Sequence, residues 1–349
     1  MLAYVIRRIV AGVVMLLAMS MVTFLLFFAS PVDPARYACG KSCSPVQREQ
    51  ARKSLGYPER GKGVWESNIK GPAVMWVEFT KGLVAGRQFP ADEALRKAAP
   101  DNVVNCSAPC LGYSTYSVRT VNSMVTEALP VTASIATFAV ILWVFFGVLV
   151  GVLAAVTKGS FMDRGIVGSA LFIYAFPSFF IGTFLLQYVS IKWNLYPLPT
   201  YTRIADGGVW TWFYNLLLPA LTLALLYLAS YARMTRAFVL ESQTEDYIRT
   251  ARAKGLKTPR ILFKHSLRGA LTPLVTMAGL DFASVLGGAI ITESIFNFNG
   301  LGKLAVSANT NYDLPVLIAI VLVAGAFVIT ANIIVDILYA FIDPRVRVG

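Results

Sequence analysis

The chain has 349 residues, of which 56% are hydrophobic and only 14% are charged. Soluble domains carry about 25% charged residues, so this composition excludes that class. Because the apolar residues also form long runs, it indicates a polytopic membrane protein. The net charge of +12 does not indicate nucleic acid, since basic cytoplasmic loops are its commoner cause in a membrane protein and base-stacking repeats of aromatic and basic residues are absent.

The first 30 residues predict an N-terminal transmembrane helix. Arg7-Arg8 is followed by an uncharged run from Ile9 to Val32. A secretory signal has an apolar region of roughly 7–15 residues, and this run is longer, so we expect an uncleaved first span. Residues 31–127 then have the composition of a soluble segment. Ser44-Pro45 predicts the start of a short helix that ends near Gly56, and a second helix is predicted over 73–84.

Residues 128–349 predict a core of five further transmembrane helices. Each charge-poor stretch supplies the ~20 residues that cross a bilayer. The predicted spans are 128–157, 165–191, 209–232, 269–292 and 314–342, with a polar loop at 233–268. Pro177 is expected to kink the third span and Pro219 the fourth. Gly287-Gly288 suits a close contact between helices, which either shapes a cavity or only packs the helices together.

The positive charges of the short loops predict the orientation. With the N-terminus inside, fifteen Lys and Arg residues lie on the cytoplasmic side and three on the outer side. Long segments such as 31–127 are translocated largely regardless of charge. We therefore expect both termini in the cytoplasm and residues 31–127 outside.

All four cysteines lie in the predicted outer segment, as two Cys-x3-Cys pairs: Cys39, Cys43, Cys106 and Cys110. Disulfides persist in oxidising compartments, so an even number there predicts two bridges. Three pairings are possible, and the local ones are favoured because Gly40 and Pro109 suit tight loops. A zinc site is the weaker alternative, because the only histidine, His265, lies on the other side of the membrane. We expect no metal.

The sequence contains no pattern that predicts an enzyme. Asn299-Gly300-Leu301-Gly302-Lys303 lacks the spacing of a Walker A motif and is better explained as a turn. His265 has no Ser, Cys or carboxylate at catalytic spacing.

Asp281 is the one clear charge near the middle of a predicted span. Such a group is expensive in a membrane and usually faces a bundle interior or a cavity. One interpretation is a translocation-pathway group, together with Ser284 and Asn332. The other, slightly favoured, is a hydrogen-bonded residue that only packs helices.

The loop at 233–268 is the longest polar passage of the second half, and it is either a solvated connector or a docking surface. Nine of its residues are basic: Arg233, Arg236, Arg249, Arg252, Lys254, Lys257, Arg260, Lys264 and Arg268. The positive-inside rule explains this number, so the charges alone do not decide between the two interpretations.

The centre of this loop resembles a known signature. Asp246-Tyr247-Ile248-Arg249-Thr250-Ala251-Arg252-Ala253-Lys254-Gly255-Leu256 resembles the coupling loop of bacterial ABC importer permeases, in the form used by dipeptide and oligopeptide systems. The general pattern of Glu-Ala-Ala and a later Gly is met only at Ala251 and Gly255. Segments at 1–8, 129–132, 292–302 and 343–347 resemble other family motifs in the same order. With the long insertion after the first span, the chain is similar to the B-type permease of the pair.

The resemblance implies an all-α, type I ABC importer fold in the bacterial inner membrane, with six transmembrane helices and a disulfide-bearing extracytoplasmic segment between the first two. It implies a homologous second permease, two cytoplasmic ATPase subunits, an extracytoplasmic substrate-binding protein, a peptide substrate and surrounding lipid. ATP and Mg²⁺ would bind the ATPases, and this chain would hold no cofactor. Coupling would use Asp246, Tyr247, Arg249, Thr250, Ala251, Arg252, Ala253, Lys254 and Gly255.

Physical reasoning fits this assignment. The small side chains of Ala251 and Ala253 would allow close approach of another surface, and Gly255 would end the helix. The alternatives are an importer of nickel, glutathione or another small solute, an ion-coupled secondary carrier, and a non-transporting scaffold or sensor. A carrier usually shows inverted repeats and paired ionisable groups, and the sequence shows neither.

Overall fold

A computed structural model of the chain describes residues 2–28, 33–38, 43–57, 69–286 and 289–342. Within them, four long apolar helices have the length and composition of membrane spans. They are α1 (Leu2–Phe28), α6 (Val121–Val156), α9 (Ile204–Ser242) and α15 (Leu314–Ile342).

Two bent helix pairs also have the length and apolar composition of a span when each pair is taken together. α7 (Phe161–Tyr174) meets α8 (Ser178–Phe184) and its continuation to Lys192 at 96°. Pro177 lies at this break. Proline has no backbone N–H and cannot donate the hydrogen bond that would continue the helix. The second pair consists of Thr258–Leu271 and Pro273–Leu286 and is bent by 47°. It contains α11 (Thr258–Arg260), a π-helical turn (Ile261–Ser266) and α12 (Leu267–Leu286), so the bend lies within α12 at Pro273. Counting each pair as one span gives six, as predicted.

The helices extend beyond several predicted spans. α6 begins at Val121 rather than 128, and α9 runs from Ile204 to Ser242 rather than 209–232. Arg233 and Arg236 therefore lie on a transmembrane helix and not in the loop. Hydropathy marks the part of a helix that lies in lipid, whereas helical hydrogen bonding continues through polar residues. The irregularity inside α9 is Gly208, with φ 75° and ψ 168°, while Pro219 lies within the helix.

The fifth predicted span, 269–292, also differs from the structure. α12 ends at Leu286, and a separate α13 covers Ile290–Ile295. Gly287 and Gly288, singled out in the sequence, lie outside the described residues.

The chain divides into two compact units. The first contains residues 131–299 and 331–349, and the second contains residues 2–130 and 300–330. The core of the first unit is apolar and aromatic, and Trp143 of α6 stacks on Tyr227 of α9 with ring centroids 4.4 Å apart.

Two glycines let α6 and α9 approach each other in the first unit. A Cβ at Gly147 would lie 2.6 Å from Tyr231 Cβ, and one at Gly151 would lie 2.5 Å from Thr235 Cβ. Their four-residue spacing places both on one face of α6.

The second unit contains the short elements between α1 and α6. They are α2 (Pro34–Ala38), α3 (Pro45–Leu55), α4 (Gly71–Ala85), β1 (Arg87–Phe89), α5 (Glu93–Ala98), β2 (Val104–Cys106), β3 (Tyr113–Ser114) and β4 (Arg119–Thr120), and α14 (Leu301–Thr310) belongs to the same unit. Ser44 and Gln47 form a capping box at α3, and Gly56 at φ 71° ends it. β1 pairs antiparallel with β2, and β3 with β4.

One of the two favoured disulfides is present in this unit. Cys106 and Cys110 are bonded, with Cα atoms 5.5 Å apart. Cys43 is also disulfide-bonded. Cys39 lies outside the described residues, so the pairing of these two cysteines stays a prediction.

Candidate functional site

The polar loop folds into a short amphipathic helix, α10 (Asp246–Ala253), that follows α9 directly. Ile248 and Ala251, three residues apart, both point inwards and pack against Ile261 and Leu256. The opposite face is exposed, and it consists of Arg249, Thr250, Arg252 and Ala253, followed by Lys254 and Gly255. A buried pair at helical spacing therefore fixes the direction in which the charged face points.

Gly255 ends α10 in a left-handed conformation with φ 72°. The Gly255 N–H donates to the Arg252 carbonyl at 2.9 Å, and the Leu256 N–H donates to the Ala251 carbonyl at 3.3 Å. These two bonds form a Schellman motif, in which an apolar contact between Leu256 and Ala251 accompanies the turn. The helix therefore ends where the sequence predicts.

Tyr247 holds α10 against the neighbouring helices. Its hydroxyl lies 2.7 Å from the Ser242 hydroxyl at the end of α9. A Cβ at Gly269 of α12 would lie 2.9 Å from the same Tyr247 oxygen. Because α12 approaches so closely, α10 is held at a junction of α9 and α12.

The structure changes the interpretation of two predicted residues. Ala251 is only 6% exposed, so it packs within the loop rather than on its open face. Ala253 is the small residue on the open face. Asp246 and Arg249 form a contact of 3.5 Å, but both side chains are largely exposed and such pairs contribute little.

Arg236 has a structural partner inside the protein. Its Nε and Nη2 donate to the two carboxylate oxygens of Asp163 at 2.7 and 2.8 Å. Asp163 also accepts from the Gly159 N–H at 2.9 Å, and its own N–H donates to the Ser160 side chain. This network ties the start of α7 to α9 less than two turns before α9 ends.

Asp281 has a hydrogen-bond partner that sequence reasoning missed. The Tyr231 hydroxyl of α9 donates to Asp281 Oδ2 at 2.6 Å, and Tyr231 is buried. Ser284, three residues further along α12, is exposed, and Asn332 is half-buried. Within the described residues, no hydrogen bond joins Asp281 to Ser284 or Asn332. In the sequence, Tyr231 follows Tyr227 by four residues on an apolar helix, and this pattern does not predict its contact with Asp281.

The chain matches a known family over almost its whole length. Residues 147–348 match the binding-protein-dependent transport system inner membrane component family, and residues 1–136 match the N-terminal region defined for such membrane components. The chain belongs to this family. It is therefore a multi-pass membrane permease component of an ABC importer.

Curated relatives of this permease align from end to end. A probable peptide ABC transporter permease of Sinorhizobium fredii is 33% identical over 345 residues, covering 99% of both chains. An oligopeptide transport system permease of Bacillus subtilis is 32% identical, covering 99% of this chain and 100% of its own. The dipeptide transport system permease of Escherichia coli is 32% identical, covering 99% of both.

One solved structure also overlaps with the permease. It is an inward-facing MetNI methionine ABC transporter, with a TM-score of 0.49, 18% identity and coverage of 64% of this chain and 97% of that chain. The family assignment rests on the sequence matches.

In the part of the chain that the structure describes, Glu293 and Asp313 are two further buried carboxylates that no sequence pattern singled out. Glu293 of α13 is fully buried and accepts a hydrogen bond at 2.7 Å from Thr132 of α6, which is also buried. Among the described residues, no cluster of His, Cys, Asp and Glu has the arrangement of a metal site.

Proposed function

We propose that this permease forms one half of the translocation pathway of an ATP-driven importer of dipeptides and oligopeptides. The relatives that align over their whole length carry peptide, oligopeptide and dipeptide names. The family also implies that such a chain works with other subunits. We infer a homologous second permease, two ATPases that bind ATP and Mg²⁺, and an extracytoplasmic peptide-binding protein.

The observation that carries the proposal is the construction of α10. Its exposed face presents Arg249, Arg252 and Lys254 around the small side chain of Ala253. Its base is held by the Tyr247–Ser242 contact between α9 and α10. We infer that this face docks on an ATPase subunit, and that closure of the ATPases moves α10 and, through it, α9 and α12.

The proposal requires α10 in the cytoplasm, with both termini on the same side and residues 31–127 outside. The distribution of basic residues over the short loops supports this orientation. The disulfide between Cys106 and Cys110 supports it independently, because disulfides persist in oxidising compartments.

Reconstituted transport tests the proposal. The permease would be co-purified with its second permease and ATPases, placed in proteoliposomes, and supplied with the binding protein and a radiolabelled dipeptide. We expect uptake that requires ATP and every subunit, and that persists when an ionophore removes ion gradients. Uptake by this chain alone, driven by a proton gradient, would overturn the proposal.

A further inference from the structure

The second unit contains a cavity with several aromatic residues in its wall. Its empty space measures about 390 Å³ when the open mouth is included. Residues from α1, α4, β1, β3 and α15 line it. Six aromatic rings contribute: Phe24, Phe28, Tyr57, Phe79, Phe89 and Tyr113.

Arg87 is the only ionised side chain among the described residues that line this cavity. Its guanidinium carbon lies 5.5 Å from the centre of the Phe89 ring. Burial lowers the pKa of Arg87, partly offset by nearby Glu78 and Tyr57, yet a guanidinium stays charged in a protein. Glu78 itself is paired with Lys81 at 3.0 Å. Within the described part of the chain, no carboxylate lies at ion-pair distance from Arg87.

The position of Arg87 is fixed by its surroundings. Its aliphatic stem passes over Gly82, where a Cβ would lie 2.4 Å from Arg87 Cδ. On the strand side, Arg87 pairs in register with Cys106, whose disulfide partner Cys110 donates its N–H to the Gly82 carbonyl at 3.2 Å. The disulfide and the glycine therefore hold the guanidinium at the cavity before any ligand arrives.

A half-buried cation in an apolar wall is costly unless an anion accompanies it. Arginine recognises carboxylates with two parallel hydrogen bonds, and the surrounding rings suit an apolar or aromatic group. We propose that this cavity binds a small organic carboxylate, with its anionic group on Arg87 and its apolar part against the rings. This site is separate from the proposed translocation function and does not depend on it.

A pair of probes that differ only in charge tests the proposal. N-acetyl-L-phenylalanine carries an aromatic ring and a carboxylate, whereas its amide carries the same ring without charge. Binding of each would be measured by equilibrium dialysis on the full-length chain in nanodiscs of zwitterionic lipid. We expect saturable binding of the acid that is about tenfold tighter than that of the amide, since charge-assisted bonds are stronger than neutral ones.

Variants locate the site. Arg87→Met removes the charge at similar length and is expected to equalise acid and amide, while Arg87→Lys restores part of the difference. Arg119→Met is the matched control, because Arg119 is exposed, pairs with Glu127 and does not line the cavity. If Arg87→Met fails to fold, the comparison of acid and amide on the wild-type chain still decides.

Three results would overturn the proposal. The first is that the wild-type chain binds the acid and the amide equally. The second is that a folded Arg87→Met protein still prefers the acid as the wild type does. The third is that binding of the acid is lost when phosphatidylglycerol replaces the zwitterionic lipid. The last result would assign the cavity to lipid. Since none of these measurements involves ATP or uptake, they are independent of the transport experiment.

Discussion

Arg236 and Asp163 form a two-point ion pair, with Nε–Oδ1 and Nη2–Oδ2 distances of 2.7 and 2.8 Å. The Asp163 side chain is 5% exposed and that of Arg236 27%. The pair joins the beginning of α7 to the end of α9, from which α10 follows. Arg236, which its place in the sequence assigns to the basic loop, therefore holds α7 against α9 inside the protein.

Breaking this pair is expected to destabilise the permease. Removal of one partner leaves the other without its two charge-assisted hydrogen bonds, and the partial exposure of Arg236 lessens the loss of stability. Arg236→Gln should therefore lower the melting temperature of the purified protein, and Arg236→Lys should lower it less because the charge is kept. Arg249→Gln on the exposed face is the control and should melt as wild type does. Equal melting of Arg236→Gln and Arg249→Gln would contradict the structural role.

The contact between α6 and α9 depends on a small residue at position 151. A Cβ there would meet Thr235 Cβ at 2.5 Å and the Ala232 carbonyl oxygen at 2.6 Å. We expect Gly151→Ala to cost about 1–3 kcal/mol through overpacking, seen as a lower melting temperature and yield. Gly168→Ala in α7 is the control, since a Cβ there meets nothing within 4 Å. A Gly151→Ala protein as stable as this control would show that the helices are not so close.

Variants of the Tyr231–Asp281 hydrogen bond test whether Asp281 belongs to the translocation pathway or only packs helices. Asp281→Leu leaves the buried Tyr231 hydroxyl without its acceptor, which costs about 1–3 kcal/mol, whereas Asp281→Asn keeps an acceptor oxygen. We expect Asp281→Asn to retain both stability and uptake. We expect Asp281→Leu to be less stable, and the double variant that combines Asp281→Leu with Tyr231→Phe to recover part of the lost stability. Lost uptake in a stable Asp281→Asn protein would instead place Asp281 in the translocation pathway.

The left-handed turn at Gly255 gives a prediction about coupling. With φ 72°, a β-branched residue is strained by about 1–2 kcal/mol, whereas asparagine tolerates this conformation. Gly255→Val is expected to fray the end of α10 and to reduce substrate-stimulated ATPase activity of the assembled transporter, while Gly255→Asn retains most of it. A Cβ at this position meets nothing within 4 Å, so the comparison isolates the backbone. Equal activity of the two variants would show that the turn does not matter.

Local features of the fold were predictable from the sequence. The Ser44–Pro45 start of α3, its end at Gly56, the bend at Pro177 and the end of α10 at Gly255 each depend on residues close in the chain. The number of spans followed from apolar length alone.

The contacts that build the site were not predictable. The partners in Arg236–Asp163 and Tyr231–Asp281 lie 73 and 50 residues apart, and no local pattern links them. The inward direction of Ala251 also depends on Ile261, which packs against it only after the loop has folded.

Cysteine cross-linking tests whether the open face of α10 docks on an ATPase subunit. Among the described residues no cysteine is free, and all four native cysteines lie far from α10 in the sequence, so a thiol introduced on α10 can be distinguished from them. In membranes that contain the assembled transporter, we expect Ala253→Cys to cross-link to an ATPase subunit and Ala251→Cys, which is buried, not to do so. Cross-linking at position 251 but not 253, or at neither position in a transporter that retains ATP-driven uptake, would contradict this account.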